Sequence, residues 1–284
     1  MIEGMACGAD CGMARRAALR RSQNRNEECD MVVKLIDTKR AEPLFRGWQE
    51  TAVWSCLQNV MGEIYCDNGE KPVSAAAMIG DFSFLAGAPD EEVLRFCPEW
   101  RSGKFAILVP QDSAWAEFIE SSCGEQVRKV TRYALKKEPD VFDRDHLRRA
   151  AASLPAPYTF RPVDEELYRR CLSEEWSRDL VSLYRDYGDY RSRGLGVAVM
   201  HGEELAAGAS SYSSYQGGIE IEIDTRLDHR RKGLAFACGA KLILECLDRG
   251  LYPSWDAQNL WSLALAKKLG YHFEREYPAY EITD

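Results

Sequence analysis

The chain has 284 residues, 45% hydrophobic and 29% charged, a length that suits two ordinary domains and a composition that leaves little room for extensive disorder. A formal net charge of -8 and a pI near 5.3 argue against the broad electropositive face that nucleic acid demands. No apolar run approaches the roughly 20 residues of a membrane span and the start lacks a secretory apolar core, so a cytoplasmic protein without a membrane partner is expected.

Residues 1–30 carry Arg15, Arg16, Arg20, Arg21 and Arg25 with few large apolar groups and read as a disordered leader. Residues 31–138 read as a mixed α/β domain. Leu44, Phe45, Trp48, Ala52, Val53, Cys56, Leu57 and Val60 recur at helical spacing, which predicts one helix over 41–61 stopped by Gly62. Strands follow at Glu63–Cys66 and Ser74–Leu85, separated by the turn Asp67-Asn68-Gly69. A helix over Asp90–Trp100, a strand over Phe105–Pro110, a helix over Ser113–Ser122 capped by Asp112 or Ser113, and an alternating strand over Gln126–Leu135 complete it.

Residues 139–157 are charged and proline-bearing, with a short helical pattern around His146–Ser153, and read as a linker. The second domain, 158–284, opens with a strand at Tyr158 and a helical region through Tyr187. Leu195–Met200, Leu205–Tyr212 and Ile219–Thr225 read as three antiparallel strands. A helix follows Gly233, with Ala237, Ala240, Leu244 and Leu247 on one face. Leu251–Trp255 reads as a strand, a helix then ends at Gly270, and Tyr271–Arg275 and Ala279–Ile282 read as closing strands. The fold class is therefore α/β (α+β), with a larger C-terminal domain behind a smaller one.

Of the 10 cysteines only Cys7 and Cys11 lie close together, without partners to complete a zinc site. Cys56, Cys97, Cys171, Cys238 and Cys246 sit in apolar or helical contexts and read as buried free thiols of a reducing compartment. His201, His229 and His272 show no spacing that suggests metal or nucleophilic chemistry and are read as structural; no metal is expected.

The strongest chemical signal is Arg230-Arg231-Lys232-Gly233-Leu234-Ala235, set between a strand and a helix. The first helical turn leaves N–H groups unpaired and carries the positive end of the peptide dipoles, so a pyrophosphate can rest there. Gly233 permits close backbone approach and the basic side chains add charge. Taken alone the loop also reads as an exposed basic helix start. With the strand and helix that follow, it resembles the GNAT superfamily of GCN5-related N-acetyltransferases, whose nucleotide loop reads Arg or Gln, two residues, Gly, one residue, Gly or Ala. Arg230, Gly233 and Ala235 fit that pattern, and Asn259, Ser262, Leu265, Lys268, Gly270 and Tyr271 fit the family's next motif. The resemblance spans about Tyr158 to Asp284, and from Met31 the chain looks like a bacterial subgroup with an extra N-terminal domain.

The resemblance implies a GNAT fold whose central sheet is mixed and mostly antiparallel. It implies acetyl-CoA as co-substrate, with Arg230, Arg231, Lys232, Gly233, Leu234, Ala235 and Asn259 at the cofactor and pantetheine between strands Ile219–Thr225 and Leu251–Trp255. Asn259 also suits a helix N-cap, and Trp255 suits the core as well as the thioester end. The implied reaction is direct attack of a small-molecule or peptidyl amine on the thioester, by a monomer or homodimer.

A protonated amine needs a base, and Glu220 and Glu222 share one strand face opposite Ile219, Ile221 and Ile223. Glu222 is preferred; both also suit the polar side of an amphipathic strand. Many relatives carry a tyrosine one residue after the position of Leu265, whereas this chain has Ala266. Tyr184, Tyr187, Tyr190 and Tyr212 are candidate substitutes, although any single tyrosine is more often a packed aromatic with a satisfied hydroxyl. The alternatives are a non-catalytic acyl-CoA-binding protein and a tandem acyltransferase with an aminoacyl-tRNA donor; net acidity opposes the latter.

Overall fold

The computed structural model describes residues 32–100 and 105–282; the leader expected over 1–30 lies outside them. The chain begins with β1 (Val33–Lys34), a 3-10 turn and α1 (Thr51–Leu57). Then come β2 (Glu63–Cys66), β3 (Ser74–Ile79), β4 (Phe82–Gly87), α2 (Glu91–Trp100), β5 (Ala106–Pro110), α3 (Ser113–Cys123) and β6 (Val127–Leu135). α4 (Arg144–Ala152) leads to β7 (Tyr158–Pro162), α5 (Glu165–Ser173), a 3-10 segment Glu175–Leu180, α6 (Tyr187–Arg193), β8 (Gly196–His201), β9 (Glu204–Tyr215) and β10 (Gly218–Thr225). α7 (Leu234–Asp248), β11 (Tyr252–Ser254), β12 (Asp256–Ala257), α8 (Leu260–Lys268) and β13 (Phe273–Ile282) complete it.

Local chemistry explains where the elements depart from the periodicity. Only Thr51–Leu57 of the helix expected over 41–61 is α-helical: Pro43 interrupts donation, and Gly47, at φ 90°, turns the chain in the left-handed region. The strand expected over Ser74–Leu85 is a hairpin instead. Ile79 pairs with Phe82 across Gly80, whose φ of 54° suits a tight turn. The two closing strands are the single β13, in which Pro278 sits opposite Thr131 without ending the ladder.

The strands make two sheets. The first has eight strands in the order β1-β2-β3-β4-β5-β13-β6-β12, and the second has five in the order β11-β10-β9-β8-β7. All pairs are antiparallel except β4 with β5 and β10 with β11. The segment 139–157 is where the chain leaves the first sheet for the second, and β12 and β13 bring it back, β13 running between β5 and β6. Residues from Val32 onward form one compact unit.

α7 packs Leu234, Cys238, Leu242 and Ile243 on one face of the second sheet against Val197, Val199, Ala207, Ala209, Ile219 and Ile221. The other face is covered by Leu167, Tyr168 and Tyr190 of α5 and α6, and the same core continues through Val53 and Cys56 of α1 to Ala75 and Ala77 of the first sheet. A third core, under α2 and α3, holds Val93, Cys97, Trp115 and Ile119 against Met78 and Leu108. Shared apolar burial thus locks the sheets together through α1.

Candidate active site

β10 and β11 pair only through Gly218–Glu220 against Tyr252–Ser254. Beyond Ser254 the chain turns into the first sheet, where Asp256 and Ala257 pair with Ala134 and Tyr133, while β10 continues along β9 to Thr225. Two strands that begin as neighbours therefore end in different sheets. The wedge between them opens into a cavity of 580 Å³.

The alternation of β10 decides what this cavity meets. Ile219 and Ile221 are buried under α7, whereas Glu220, Glu222 and Asp224 line the cavity. The Thr51 hydroxyl donates to Glu220 Oε2, and Glu220 Oε1 is buried with no hydrogen-bond partner. Glu222 Oε1 accepts the Ile223 N–H at 3.1 Å. Burial is the main cause that pushes the Glu222 carboxyl up to about 8, with Asp224 and then Asp179 adding like charge. Asp224 is pushed up to about 6, again first by burial and then by Asp179. Burial likewise raises Glu220 above the ordinary carboxylate range.

The basic loop lines the same cavity. Arg231 has φ 61° and Gly233, the N-cap of α7, has φ 79°; these left-handed residues fold the loop back over the helix start. Arg230, Arg231, Gly233, Leu234 and Ala235 line the cavity. Lys232 does not: its Nζ donates to the Asp228 carbonyl at 3.0 Å and the Tyr158 hydroxyl at 3.2 Å. Asn259 lines the cavity and caps α8, its Oδ1 accepting from Trp261 N and Ser262 N at 3.0 and 2.9 Å. Trp255 is 5% exposed and also meets the cavity, so it serves the core and the site together.

The first sheet supplies the opposite wall. Arg132 of β6 is buried, pairs with Asp256 at 2.7 Å and lies 4.8 Å above the Phe82 ring. Tyr277 of β13 donates its hydroxyl to Asp256 Oδ2 at 2.8 Å. Tyr212 enters through a β-bulge: Glu220 pairs with Ser213 and Ile221 with Ser211, which leaves Tyr212 unmatched.

The sequence profile of the GNAT acetyltransferase family matches residues 42–280. The chain belongs to that family. GNAT enzymes are acyl-CoA-dependent N-acyltransferases, and this protein is an N-acetyltransferase. It is 26% identical over 247 residues to YdfB of Bacillus subtilis (strain 168), an uncharacterized N-acetyltransferase, covering 81% of this chain and 89% of that one. Its fold matches the crystal structure of a GCN5-related N-acetyltransferase-like protein from Streptococcus suis 89/1591 with a TM-score of 0.83 and 48% identity, over 87% of this chain and 98% of that one. The GCN5-related glucosamine N-acetyltransferase region of a fungal multi-domain β-N-acetylglucosaminidase shares the fold with a TM-score of 0.56 at 14% identity, over 89% of this chain and 38% of that one.

Against the GNAT pattern, Ala266 is fully buried in the core of α8 and Leu265 faces the cavity. Of the candidate tyrosines, Tyr184 bonds Ser211 Oγ at 2.6 Å and Tyr190 lies 2.8 Å from Ser210 Oγ; both are core residues, and Tyr187 packs beside Tyr190. Only Tyr212 among the four lines the cavity, where its oxygen accepts the Asp81 N–H at 3.2 Å. Burial raises its pKa, so it stays protonated at neutral pH.

Two of the histidines come together in space although they are far apart in sequence. Donor atoms of His201, Glu204 and His229 lie within 4.8 Å of one another. Arg226 already sits among them, its Nη2 2.9 Å from His229 Nε2 and 3.1 Å from Glu204. The His229 ring therefore accepts at Nε2 and donates from Nδ1 to Tyr158, a neutral ring whose basicity is lowered by burial. This network buttresses the basic loop from below.

Proposed function

We propose that the enzyme transfers an acetyl group from acetyl-CoA to an amine by direct attack on the thioester, with Glu222 as general base. The observation that carries this reading is the continuity of one cavity from the free N–H groups of the α7 start to the carboxylates of β10. The pyrophosphate rests on the turn Arg231 to Ala235, with Arg230 and Arg231 supplying charge. Pantetheine runs along the wedge between β10 and β11, beside Leu265 and Asn259, and brings the thioester to Glu222 and Trp255.

An ammonium entering this end meets a carboxyl whose pKa approaches that of an amine more closely than an ordinary carboxylate does. That raises the fraction of free amine formed on proton transfer. One ammonium proton passes to Glu222, the N–C bond forms, the second proton leaves the nitrogen to water as the C–S bond breaks, and the thiolate departs. A CoA thiolate with a pKa of about 8.5 is a fair leaving group without the missing tyrosine, and Glu222, holding the amine's proton near the same pKa, can return it. One carboxyl thus serves as base and then as acid.

The test is thiol release from acetyl-CoA over an amine panel, comparing the native chain with Glu222→Gln. A fall in kcat of about 100-fold or more with an intact CoA affinity is expected. Equal kcat in the variant would remove Glu222 from the mechanism.

A further inference from the structure

The cavity is lined by the carboxylates of β10 and Asp179 as well as by Arg230 and Arg231 of the basic loop, Arg132 and Lys137. Other carboxylates of the lining are already matched: Asp256 by Arg132 at 2.7 Å and Glu50 by Arg275. Among the described residues, Glu222, Asp224 and Asp179 have no lysine or arginine within ion-pair distance, although Arg132 and Arg230 act on Glu222 and Asp224, respectively, from farther off. Glu222 and Asp224 are two residues apart on one face of β10, so their stems stand about 7 Å apart. Asp179, in the 3-10 segment Glu175–Leu180, is at the rim and near enough to act on both carboxyls.

Such a group of like charges is costly to hold together without a counterion. A single ammonium at Glu222 would leave Asp224 and Asp179 unmatched. The facing wall is aromatic, with Phe82 stacked on Phe84 at 5.7 Å and edge-on to Tyr212 at 6.1 Å, which suits methylene groups lying between charged ends. Glu220, on the same strand face, also lines the cavity and has its Oε1 buried near the Ser254 hydroxyl.

We propose that the acceptor is an aliphatic diamine or polyamine, its reacting nitrogen at Glu222 and a second ammonium held by Asp224 and Asp179. The assignment rests on the acyl-transfer reading above and specifies its substrate class. The reacting ammonium gives one proton to Glu222, the N–C bond forms, the nitrogen's second proton passes to water as the C–S bond breaks, and the departing thiolate takes the proton held by Glu222; the second ammonium keeps its charge throughout. The carboxylates so placed attract the cationic acceptor and the basic loop the anionic donor.

The test uses the full chain saturated with acetyl-CoA and compares 1,4-diaminobutane and spermidine with butylamine, which has the same four-carbon chain and no second nitrogen. kcat/KM from thiol release is expected to favour the diamine by about 10- to 100-fold, the worth of one charge-assisted hydrogen bond. Asp179→Asn and, independently, Asp224→Asn are expected to shrink that ratio toward unity, with melting curves and CoA titration reporting that each variant is folded. Calorimetry of 1,4-diaminobutane into the CoA-loaded protein gives a readout independent of turnover, and saturable binding that weakens in both variants supports the site. Equal kcat/KM for butylamine and the diamine overturns the diamine assignment and leaves acyl transfer standing. Diamine binding without thiol release from any amine overturns the acyl-transfer reading instead, and the acceptor assignment with it.

Discussion

Glu222 is the residue on which the proposed chemistry turns, and its environment ties that activity to stability. Its folded pKa is raised from 4.5 to about 8, so the folded state holds a proton that the unfolded chain releases at lower pH. That contribution is fully present below about 4.5 and is lost as pH rises through about 8. Glu222→Gln keeps the uncharged shape at every pH, so its melting temperature is expected to match the native chain near pH 5 and to exceed it at pH 9, by about 2–4 °C for each kcal/mol recovered. Activity runs the other way: native kcat/KM is expected to rise with pH as this carboxyl ionises. Thermal melts and rate profiles over pH 5–9 check both signs. A melting temperature for the variant below that of the native chain at pH 9 would contradict the buried, proton-holding carboxyl.

At the scale of elements, much of the second half was readable because each signal is local. The Ile/Glu alternation of β10 fixes which side chains enter the cleft, and Asp224 belongs to the same alternation as Glu220 and Glu222, although only the glutamates were singled out. The loop Arg230 to Ala235 was readable from its glycine and charges, but not the left-handed Arg231 or the turning away of Lys232, which depends on Tyr158 in a distant strand. Asn259 caps α8 and lines the cavity from the same helix start. Asn259→Ala removes the acceptor for Trp261 N and Ser262 N and is expected to cost about 1 kcal/mol of stability. Because the same turn lines the cavity, KM for acetyl-CoA is expected to rise as well, which denaturant melts and steady-state kinetics separate. A stability loss without any change in KM would make Asn259 a cap alone. In the first half, the helix that forms is shorter than the 41–61 expected, because apolar spacing alone does not register Pro43 and Gly47.

At the scale of the whole molecule, the return of β12 and β13 to the first sheet was not legible, since strand neighbours far apart in sequence leave no periodic trace. That return is what builds the wedge, and it brings Arg132, Asp256 and Tyr277 together from β6, β12 and β13. Removing one partner of this buried pair leaves an uncompensated charge, so Arg132→Met is expected to destabilise the fold by roughly 3–5 kcal/mol, while Arg132→Met with Asp256→Leu recovers most of the loss. Denaturant unfolding of the two variants checks this; a single variant as stable as the native chain would mean that Asp256 is solvated.

The central claim, that the start of α7 holds the pyrophosphate of acetyl-CoA, is tested most directly by calorimetric titration of CoA into the native chain and into Gly233→Glu. The glutamate places a carboxylate on the phosphate turn, and at φ 79° it also strains the loop. One CoA per chain is expected for the native protein, with affinity falling by about 100-fold or more in a variant that remains folded. Equal affinity for the two proteins would contradict it.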